Sequence, residues 1–543
     1  MTRTKHARWV PRRARPTAWG ASLALVVTLA VIAMVSPAAA RPAPAAALTA
    51  SRAGYVPVNG AGSTWSQNAL DLWRQEVASQ GILINYAGTG STDGREEFIA
   101  GLTDFAISEI PFQEHPADGS APEDPTRGYA YLPIVAGGTA LMYHLTVNGR
   151  RIDNLRLSSA TITKIFTGVI TRWNAPQIQA DNPGLTLPDE AITPVVRADS
   201  AGTTYQFTAW MAATQAALWQ DYCSRVGLAQ PCGAVQTYPI ITGMRAQDGS
   251  LGVSDYVAQA YGEGSIGYVE TSYAQLVGFP VADVLNADGY YVAPSAQAVA
   301  VALLKAQINN NPASPDYLTE QLAGVYADPD PRAYPISSYS YLIVPTTTAA
   351  GFTRAKGATL AAFGDFAVCQ GQDNVAALGY SPLPENLVRA GLAQLDRIPG
   401  ARRQSSSLSG CRNPTFSPSG YNTLAATAPQ PPACAQQGPL QCGTTGSVLR
   451  AGATSGGTGG QGSSAAAGGA AGPPGDVAGQ AGVQSAVTPQ PLTVPATQGW
   501  TGTQTTMVVL FAVLLSALLG PLGVTVARRR ARRWARPDRT TMH

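Results

Sequence analysis

An arginine and a carboxylate stand directly before a run of small residues in the stretch VVRADSAGTTYQF. The charged residues are Arg197 and Asp199, and the small residues that follow are Ala201, Gly202 and Thr203. Small and hydroxyl residues are typical of a helix start, where unpaired N–H groups and partial positive charge favour anions. An arginine adds a charge-assisted, bidentate donor. The stretch therefore predicts half of a site for a tetrahedral oxyanion, with Asp199 orienting the guanidinium.

Three other segments also end a strand-like run in small or polar residues before a helix or turn. In NGAGSTWSQNALDLW, Ser63 or Thr64 is predicted to cap a helix. In NYAGTGSTDGREEF, Ser91 and Thr92 begin a short helix, and in DFAISEIPF, Glu109 follows a strand. Together with the first stretch, these segments predict a receptor for a tetrahedral oxyanion, built from backbone N–H groups and hydroxyls.

The carboxylate suits an anion site only if the anion carries a proton that Glu109 can accept. Hydrogenphosphate carries such a proton and sulfate does not, so Glu109 predicts selection for a protonated anion. Each feature alone also has an ordinary structural interpretation. A serine before a helix is usually a cap, an Arg-x-Asp pair usually lies on the surface, and Trp65 and Trp73 are typical of a core.

Composition divides the chain of 543 residues into unlike parts. From about residue 51 to residue 420, β-rich runs alternate with helix-like segments, which predicts an α/β fold with two lobes. Residues 41–527 carry 23 Lys and Arg against 32 Asp and Glu, and this net charge of −9 argues against a nucleic-acid partner.

The two ends of the chain predict export and membrane anchoring. Residues 1–40 have the basic start, apolar run and small-residue end of a signal peptide, although an uncleaved span is the alternative. Residues 443–504 are rich in Gly, Ala and Ser and predict a disordered tether. Residues 505–527 are uncharged and long enough to span a membrane, and the seven arginines within 528–543 predict a cytoplasmic tail. The body would then be extracellular, on a single-pass membrane protein.

The cysteines and histidines predict disulfides rather than a metal site. The even number of cysteines in an exported body indicates disulfides, and pairing of sequence neighbours is the simplest of several connectivities. His115 and His144 are the only histidines of the body, and neither has ligand spacing to a cysteine. Neither lies in a nucleophile-elbow context, so a hydrolase is a weak alternative, and we expect no catalytic residue, metal or cofactor.

The motifs, taken together, resemble those of the phosphate-binding protein of the bacterial high-affinity phosphate ABC transporter. The resemblance runs from about Asn59 to Ala390. The motifs that carry it are GAGSTW, GTGSTDG, ISEIPF, IFTGVITRWNAPQI, NPGLTLPDEAIT, VVRADSAGTT, GSIGYVETSYA, YPISSYSYLIV and LGYSPLPENLV. The hydrophobic span makes this chain similar to the membrane-anchored form found in actinobacteria.

The resemblance implies a two-lobed periplasmic-binding-protein-like fold of type II, with the ligand in a cleft between the lobes. The first lobe would comprise residues 50–133 and 335–425, and the second residues 134–334. The implied ligand-binding residues are Thr64, Trp65, Ser91, Glu109, Arg197, Asp199, Ala201, Gly202 and Thr203.

The implied function is capture of inorganic phosphate outside the cell and delivery to separate permease subunits of an ABC transporter, without catalysis. Three departures from the family pattern put affinity and selectivity in question. Glu109 stands in place of an aspartate, Ala201 stands in place of a serine, and Asp93 adds negative charge near the site. The alternative is a degenerate surface module that acts as a sensor or interaction scaffold.

Overall fold

The computed structural model describes residues 54–116, 118–402, 408 and 410–443, together with the backbone of 448–450. The predicted signal peptide, membrane span and basic tail, and nearly all of the predicted tether, lie outside these residues. Among the helices that are described, none combines the length and the apolar character needed to cross a membrane.

The predicted α/β composition is confirmed. The strands are β1 Val58–Gly62, β2 Ile84–Ala87, β3 Phe105–Ser108, β4 Tyr129–Tyr143, β5 Thr146–Val147, β6 Arg150–Arg151, β7 Arg156–Leu157, β8 Thr193–Arg197, β9 Arg245–Gln247, β10 Ser265–Glu270, β11 Asp283–Leu285, β12 Tyr291–Val292, β13 Gln307–Ile308, β14 Glu320–Gln321, β15 Ser337–Pro345, β16 Leu440–Cys442 and β17 Val448–Arg450.

Helices follow most of the longer strands. The α-helices are α1 Gln67–Ala78, α2 Ser91–Ile99, α3 Ser159–Phe166, α4 Pro176–Asp181, α5 Gly202–Thr214, α6 Ala216–Arg225, α7 Gly249–Ala258, α8 Thr271–Leu276, α9 Ala296–Ala302, α10 Ala323–Tyr326, α11 Arg354–Val368, α12 Glu385–Leu395 and α13 Thr423–Ala426. Short 3-10 helices lie at Ala260–Gly262, Leu303–Lys305, Gln370–Gln372, Val375–Leu378 and Ala433–Ala435. In α1, the apolar residues Ala69, Trp73 and Val77 recur every fourth position and are buried, as their spacing predicts.

Eight strands form one mixed sheet in the order β2-β1-β3-β15-β4-β10-β8-β9. β1 runs parallel to β2 and β3, and β8 runs parallel to β9 and β10. Between these groups, β15 and β4 are antiparallel to each other and to their outer neighbours. The two parallel groups therefore run in opposite directions, and their carboxyl ends can approach each other only if the sheet curls.

Strand β4 connects the two parallel groups without interruption. Its residues 129–138 pair with β15, whereas 139–143 pair with β10. We call β1–β3, β15 and residues 129–138 the first half, and residues 139–143 with β8–β10 the second half. The predicted lobe boundaries, after residues 133 and 334, fall within β4 and shortly before β15, and the division into lobes stays a prediction.

Three disulfides pair the six cysteines, and each joins sequence neighbours as the simplest prediction has it. The bonds are Cys223–Cys232, Cys369–Cys411 and Cys434–Cys442. The second of these ties α11 to the start of residues 411–443, which we call the C-terminal segment. Bridged cysteines cannot ligate a metal as thiolates.

The C-terminal segment contacts structure next to both halves of the sheet. Asn413 donates from Nδ2 to the carbonyl of Leu383 at 2.9 Å, close to the first half. Beside the second half, Arg156 of β7 donates from Nη1 to the carbonyls of Cys434 at 3.1 Å and Leu440 at 2.9 Å. Arg156 is buried, and its guanidinium carbon lies 3.9 Å from the centre of the Tyr291 ring.

We expect Arg156→Ala to lower the free energy of unfolding by about 2–4 kcal/mol, because a buried and a partly buried carbonyl lose a charged donor and a cavity forms beside the Tyr291 ring. Urea denaturation of the purified body, followed by circular dichroism, measures the loss. Arg150→Ala is the matched control, since Arg150 is exposed and should change stability by less than about 0.5 kcal/mol. Equal stability of the two variants would contradict the role assigned to Arg156.

Candidate functional site

Glu109 is a buried carboxylate that directly follows β3 and is 1% exposed. Three serine hydroxyls donate to it: Ser91 to Oε2 at 2.8 Å, Ser340 to Oε1 at 3.1 Å, and Ser63 to Oε1. Burial raises the pKa of Glu109 above the ordinary value for glutamate, while the serine hydrogen bonds and the charge of Arg197 act in the opposite direction. The carboxylate is held in one place by donors from three elements.

Arg197 is a buried cation at the end of β8 and is also 1% exposed. It donates from Nε to Asp199 Oδ1 at 2.6 Å and from Nη2 to Oδ2, so the pair is bidentate. Burial alone would raise the pKa of Asp199, but the hydrogen bonds and charge of Arg197 hold it below the usual value. The bidentate contact is the geometry predicted for Asp199 as the residue that orients Arg197. Contact of Arg197 with an anion stays a prediction.

The predicted residues of the two halves meet around one point. A Cβ built on Gly202 would lie 2.6 Å from Glu109 Oε2 and 3.0 Å from Ser91 Oγ. Nearby, the N–H of Ser250 donates to Thr64 Oγ1 at 2.9 Å. Gly202 and Ser250 follow strands of the second half, whereas the other three residues follow strands of the first half. The structure thus brings the predicted donors and the predicted acceptor together.

Two of the predicted helix starts are confirmed. Helix α2 begins at Ser91, and helix α5 begins at Gly202, with Ala201 as its N-cap and Thr203 as its second residue. The methyl side chain of Ala201 cannot cap α5. The backbone N–H of Ala201 donates to the carbonyl of Gln236 at 3.0 Å. Ala201 is therefore a buried part of the wall, and the first turn of α5 must supply its donors from the residues that follow.

The helix cap predicted at Ser63 or Thr64 is wrong. Helix α1 begins at Gln67, and neither hydroxyl caps it. The Ser63 hydroxyl donates to Glu109, and the Thr64 hydroxyl lies 3.1 Å from Ser250 Oγ. Each hydroxyl has a partner that is distant in sequence, and a local capping pattern cannot show such a partner.

Trp65 lies in the core beneath the site. Its ring is fully buried, and its indole N–H donates to Thr139 Oγ1 at 3.2 Å. Its backbone N–H donates to Ser63 Oγ at 3.0 Å. Trp73 is buried as well, and its indole N–H donates to the carbonyl of Gly371 at 2.8 Å. The interpretation of both tryptophan side chains as core is confirmed. Both N–H groups of Trp65 have protein partners, and the ligand-binding role that the resemblance implies for Trp65 stays a prediction.

Asp93 lies in the first turn of α2 and is exposed. Partial burial, followed by the negative charges of Asp199 and Asp248, raises its pKa above the usual value for aspartate. Asp93 therefore experiences the charge of the arginine's partner, as expected for a carboxylate near the site. An anion that approaches from this side meets repulsion from Asp93.

Sequence reasoning missed three serines of the site. Ser340 lies in YPISSYSYLIV, one of the motifs that carry the family resemblance. No pattern in the neighbouring residues indicates that its hydroxyl donates to Glu109. Ser250 lies in AQDGSLG, where a strand is followed by small residues and helix α7, so the pattern used for the other segments could have identified it. For Ser63, the sequence predicts only a helix cap and not the hydrogen bond to Glu109.

No group of three or more metal-ligating side chains that could hold an ion occurs among the described residues. His144 is partly buried, with Nδ1 2.9 Å from the carbonyl of Val257 and Nε2 3.1 Å from Glu263 Oε2. These contacts join β4 to neighbouring elements of the second half. They are those of a structural histidine.

The curled α/β sheet and the polar site between its halves define a chain with a periplasmic-binding-protein-like architecture. A family model described as the PBP superfamily domain matches residues 42–370, more than half of the chain. The phosphate-binding protein PstS of Xylella fastidiosa is 31% identical over 335 residues, covering 62% of this chain and 83% of that protein. The chain belongs to the PstS family of phosphate-binding proteins within this superfamily.

Two further matches each cover 60% or more of this chain. The phosphate-binding protein PstS 3 of Mycobacterium tuberculosis is 30% identical over 329 residues, covering 60% of this chain and 82% of that protein. A solved structure of the phosphate-binding protein from Stenotrophomonas maltophilia matches with a TM-score of 0.44 and 19% identity, covering 68% of this chain and 99% of that one.

We expect Asp199→Asn to lower the free energy of unfolding at neutral pH by about 3–5 kcal/mol, because it leaves the buried Arg197 without its counter-ion. The pKa of Asp199 is lowered in the folded state, so its contribution is full above the unfolded pKa of about 3.9 and is lost as pH falls through the folded pKa. The difference between wild type and variant should therefore shrink on acidification. Urea denaturation at a series of pH values measures it.

The matched control is Asp221→Asn, which removes an exposed ion pair with Arg225 at 3.0 Å. Exposed pairs of this kind contribute about 0–1 kcal/mol, so this control should be close to wild type at every pH. A loss in Asp199→Asn that did not depend on pH would contradict the assignment of the lowered pKa to Asp199.

Proposed function

We propose that this chain is an extracellular solute-binding protein that captures inorganic phosphate between the two halves of its fold and delivers it to an ABC permease. The observation that carries the proposal is the buried carboxylate of Glu109 facing the side of the site where Gly202 begins α5, with the buried cation Arg197 nearby. The names of the matched relatives, phosphate-binding protein PstS, support the same ligand.

The site can distinguish anions by their protons. Hydrogenphosphate would donate its P–OH to Glu109 and accept on its other oxygens from Arg197, the hydroxyls of Thr64 and Thr203, and the first N–H groups of α5. Sulfate has no proton at neutral pH, so one of its oxygens would face the Glu109 carboxylate without a hydrogen between them. The longer side chain of Glu109 fits because residue 202 is a glycine and adds no Cβ at that point.

Delivery needs a permease made of other chains. The sequence contains no Walker A pattern and one predicted membrane span, so it supplies neither the ATPase nor the channel. The function proposed for this chain thus consists of phosphate binding followed by release as the cleft opens, and it requires no catalytic step.

We infer in addition that the chain is anchored in the cell membrane, as in the membrane-anchored actinobacterial form. The inference is supported by the uncharged residues 505–527 and the arginine-rich residues 528–543. A tether of residues 443–504 would let the phosphate-binding body, after removal of residues 1–40, remain outside the cell and close to the permease.

Calorimetric titration of the phosphate-free body at neutral pH should show tight binding of phosphate and no binding of sulfate. Arg197→Ala should weaken phosphate binding by about 100-fold or more, because a buried charge-assisted donor is lost. Glu109→Gln should remove most of the preference for phosphate over sulfate, because the amide can donate to either anion. Lowering the pH should also reduce the preference, since Glu109 has a raised pKa and becomes protonated early.

Arg225→Ala is the control: it removes the exposed ion pair with Asp221 and should bind phosphate like wild type. Thermal melts must show that every variant is folded. Heat from neither anion in a folded wild-type protein would overturn the proposal. That result would favour the second interpretation of the chain as a degenerate surface module, for which Ala201 and Asp93 are the supporting departures from the family pattern.

Membrane anchoring is tested by fractionation of cells that express the full chain. The full chain should remain with the membranes after an alkaline carbonate wash, whereas a chain ending at residue 504 should be released. Protease added to intact cells should remove the body and leave a small fragment containing residues 505–543. Release of the full chain by the wash would contradict anchoring by residues 505–527.

A further inference from the structure

Ser250 contacts both halves of the site through one hydroxyl. The residue is the second in α7 and is 1% exposed. Its Oγ lies 3.1 Å from Thr64 Oγ1 and accepts from Arg197 Nη1 at 3.4 Å, while its N–H donates to Thr64 Oγ1 at 2.9 Å. Thr64 precedes α1 in the first half, and Arg197 ends β8 in the second half, so Ser250 links groups that come from both sides.

One of the two hydroxyls must donate to the other across their 3.1 Å contact, and the groups around them favour Ser250 as the donor. The guanidinium of Arg197 has only donors, so the lone pairs of Ser250 Oγ face it and the Ser250 hydroxyl hydrogen turns away from it. Thr64 Oγ1, at 3.1 Å, is within reach of that hydrogen, and we take it as the acceptor. Thr64 Oγ1 then accepts two hydrogen bonds, one from the N–H and one from the hydroxyl of Ser250, and both of its lone pairs are occupied.

A hydroxyl with both lone pairs occupied can act toward anything else only as a donor. On the basis of the proposed function, we propose that Ser250 is a positioning residue that makes Thr64 an obligate hydrogen-bond donor to the bound anion when the two halves close. The chain of hydrogen bonds then runs from Arg197 through Ser250 to Thr64 and on to an anion oxygen, and each bond polarises the next.

This arrangement suits a site that lacks a hydroxyl elsewhere. Ala201 offers no side-chain donor at the start of α5, and the Ser63, Ser91 and Ser340 hydroxyls donate to Glu109, so the anion depends more on the hydroxyls of Thr64 and Thr203. A Thr64 hydroxyl free to rotate could instead present a lone pair and repel an anion oxygen. Because Ser250 reaches Thr64 from the opposite half, the correct orientation is fixed in the closed state.

A double-mutant cycle on phosphate affinity, measured by calorimetry with the purified full-length chain, tests the proposal. Ser250→Ala keeps the backbone N–H and should raise the Kd for phosphate about 5- to 10-fold, as expected for one neutral hydrogen bond. Thr64→Val removes the hydroxyl at similar volume and should raise the Kd by at least as much. In the Thr64→Val background, Ser250→Ala should change the Kd by less than about twofold, because the residue acts through Thr64.

Ser254→Ala is the matched control, because Ser254 is an equally buried serine of α7 whose hydroxyl donates to the carbonyl of Leu251 at 3.0 Å. It should bind phosphate like wild type. Damage to α7 in Ser250→Ala would lower affinity by the same factor with or without the Thr64 hydroxyl, so the cycle separates a positioning role from a structural one even if stability falls.

An unchanged Kd in Ser250→Ala overturns the proposal, and so does an equal loss in both backgrounds, which would mean that Ser250 acts without Thr64. Both results leave phosphate capture by the wild-type chain intact. Failure of the wild-type chain itself to bind phosphate overturns the proposed function, and the present inference falls with it.

Discussion

The buried ion pair between Arg197 and Asp199 is the interaction on which the rest of the site depends. A guanidinium that is 1% exposed is stable only if its charge is paired and its donors are satisfied. Asp199 meets this requirement with two hydrogen bonds and also accepts from the N–H of Gly249 at 3.1 Å, which fixes the start of α7. In the first half, Gly90 lies so close that a Cβ there would be 2.6 Å from Asp199 Oδ2.

A second buried charge of opposite sign is held by a different means. No cation forms an ion pair within 4 Å of Glu109 among the described residues, and serine hydroxyls satisfy its oxygens instead. Hydroxyls stabilise a carboxylate without neutralising it, so Glu109 keeps its capacity to accept a proton from a ligand. The site therefore combines a buried cation with a proton acceptor, and in the proposed function this polarity, more than the number of donors, would distinguish hydrogenphosphate from sulfate.

Sequence alone predicted the α/β class and the starts of α2 and α5, and with the family resemblance it placed Glu109 and Arg197 near one site. The fold class and the helix starts could be predicted because apolar periodicity, strand ends and small residues before a helix are local signals. The hydroxyls of Ser63 and Thr64 were misread as caps because their partners are 46 and 186 residues away. The same limit hid Ser340, which lies 231 residues from the carboxylate it contacts. Long-range polar contacts leave no periodic pattern, so only the fold can reveal them.

The path of the chain also limits how the site can open. Strands β4 and β15 lie between the two parallel groups of the sheet. If the proposed cleft opens, the movement of one half against the other would bend the chain where β4 changes partner, between Gly138 and Thr139. The C-terminal segment adds a tie, because it is bonded to Leu383 near the first half and to Arg156 near the second. Any opening that separated these two points would have to stretch the segment or break buried hydrogen bonds of a charged donor, which cost more than exposed ones. The geometry therefore favours a small rotation about β4 that releases the contacts around Glu109 and Gly202 and keeps the C-terminal segment in place.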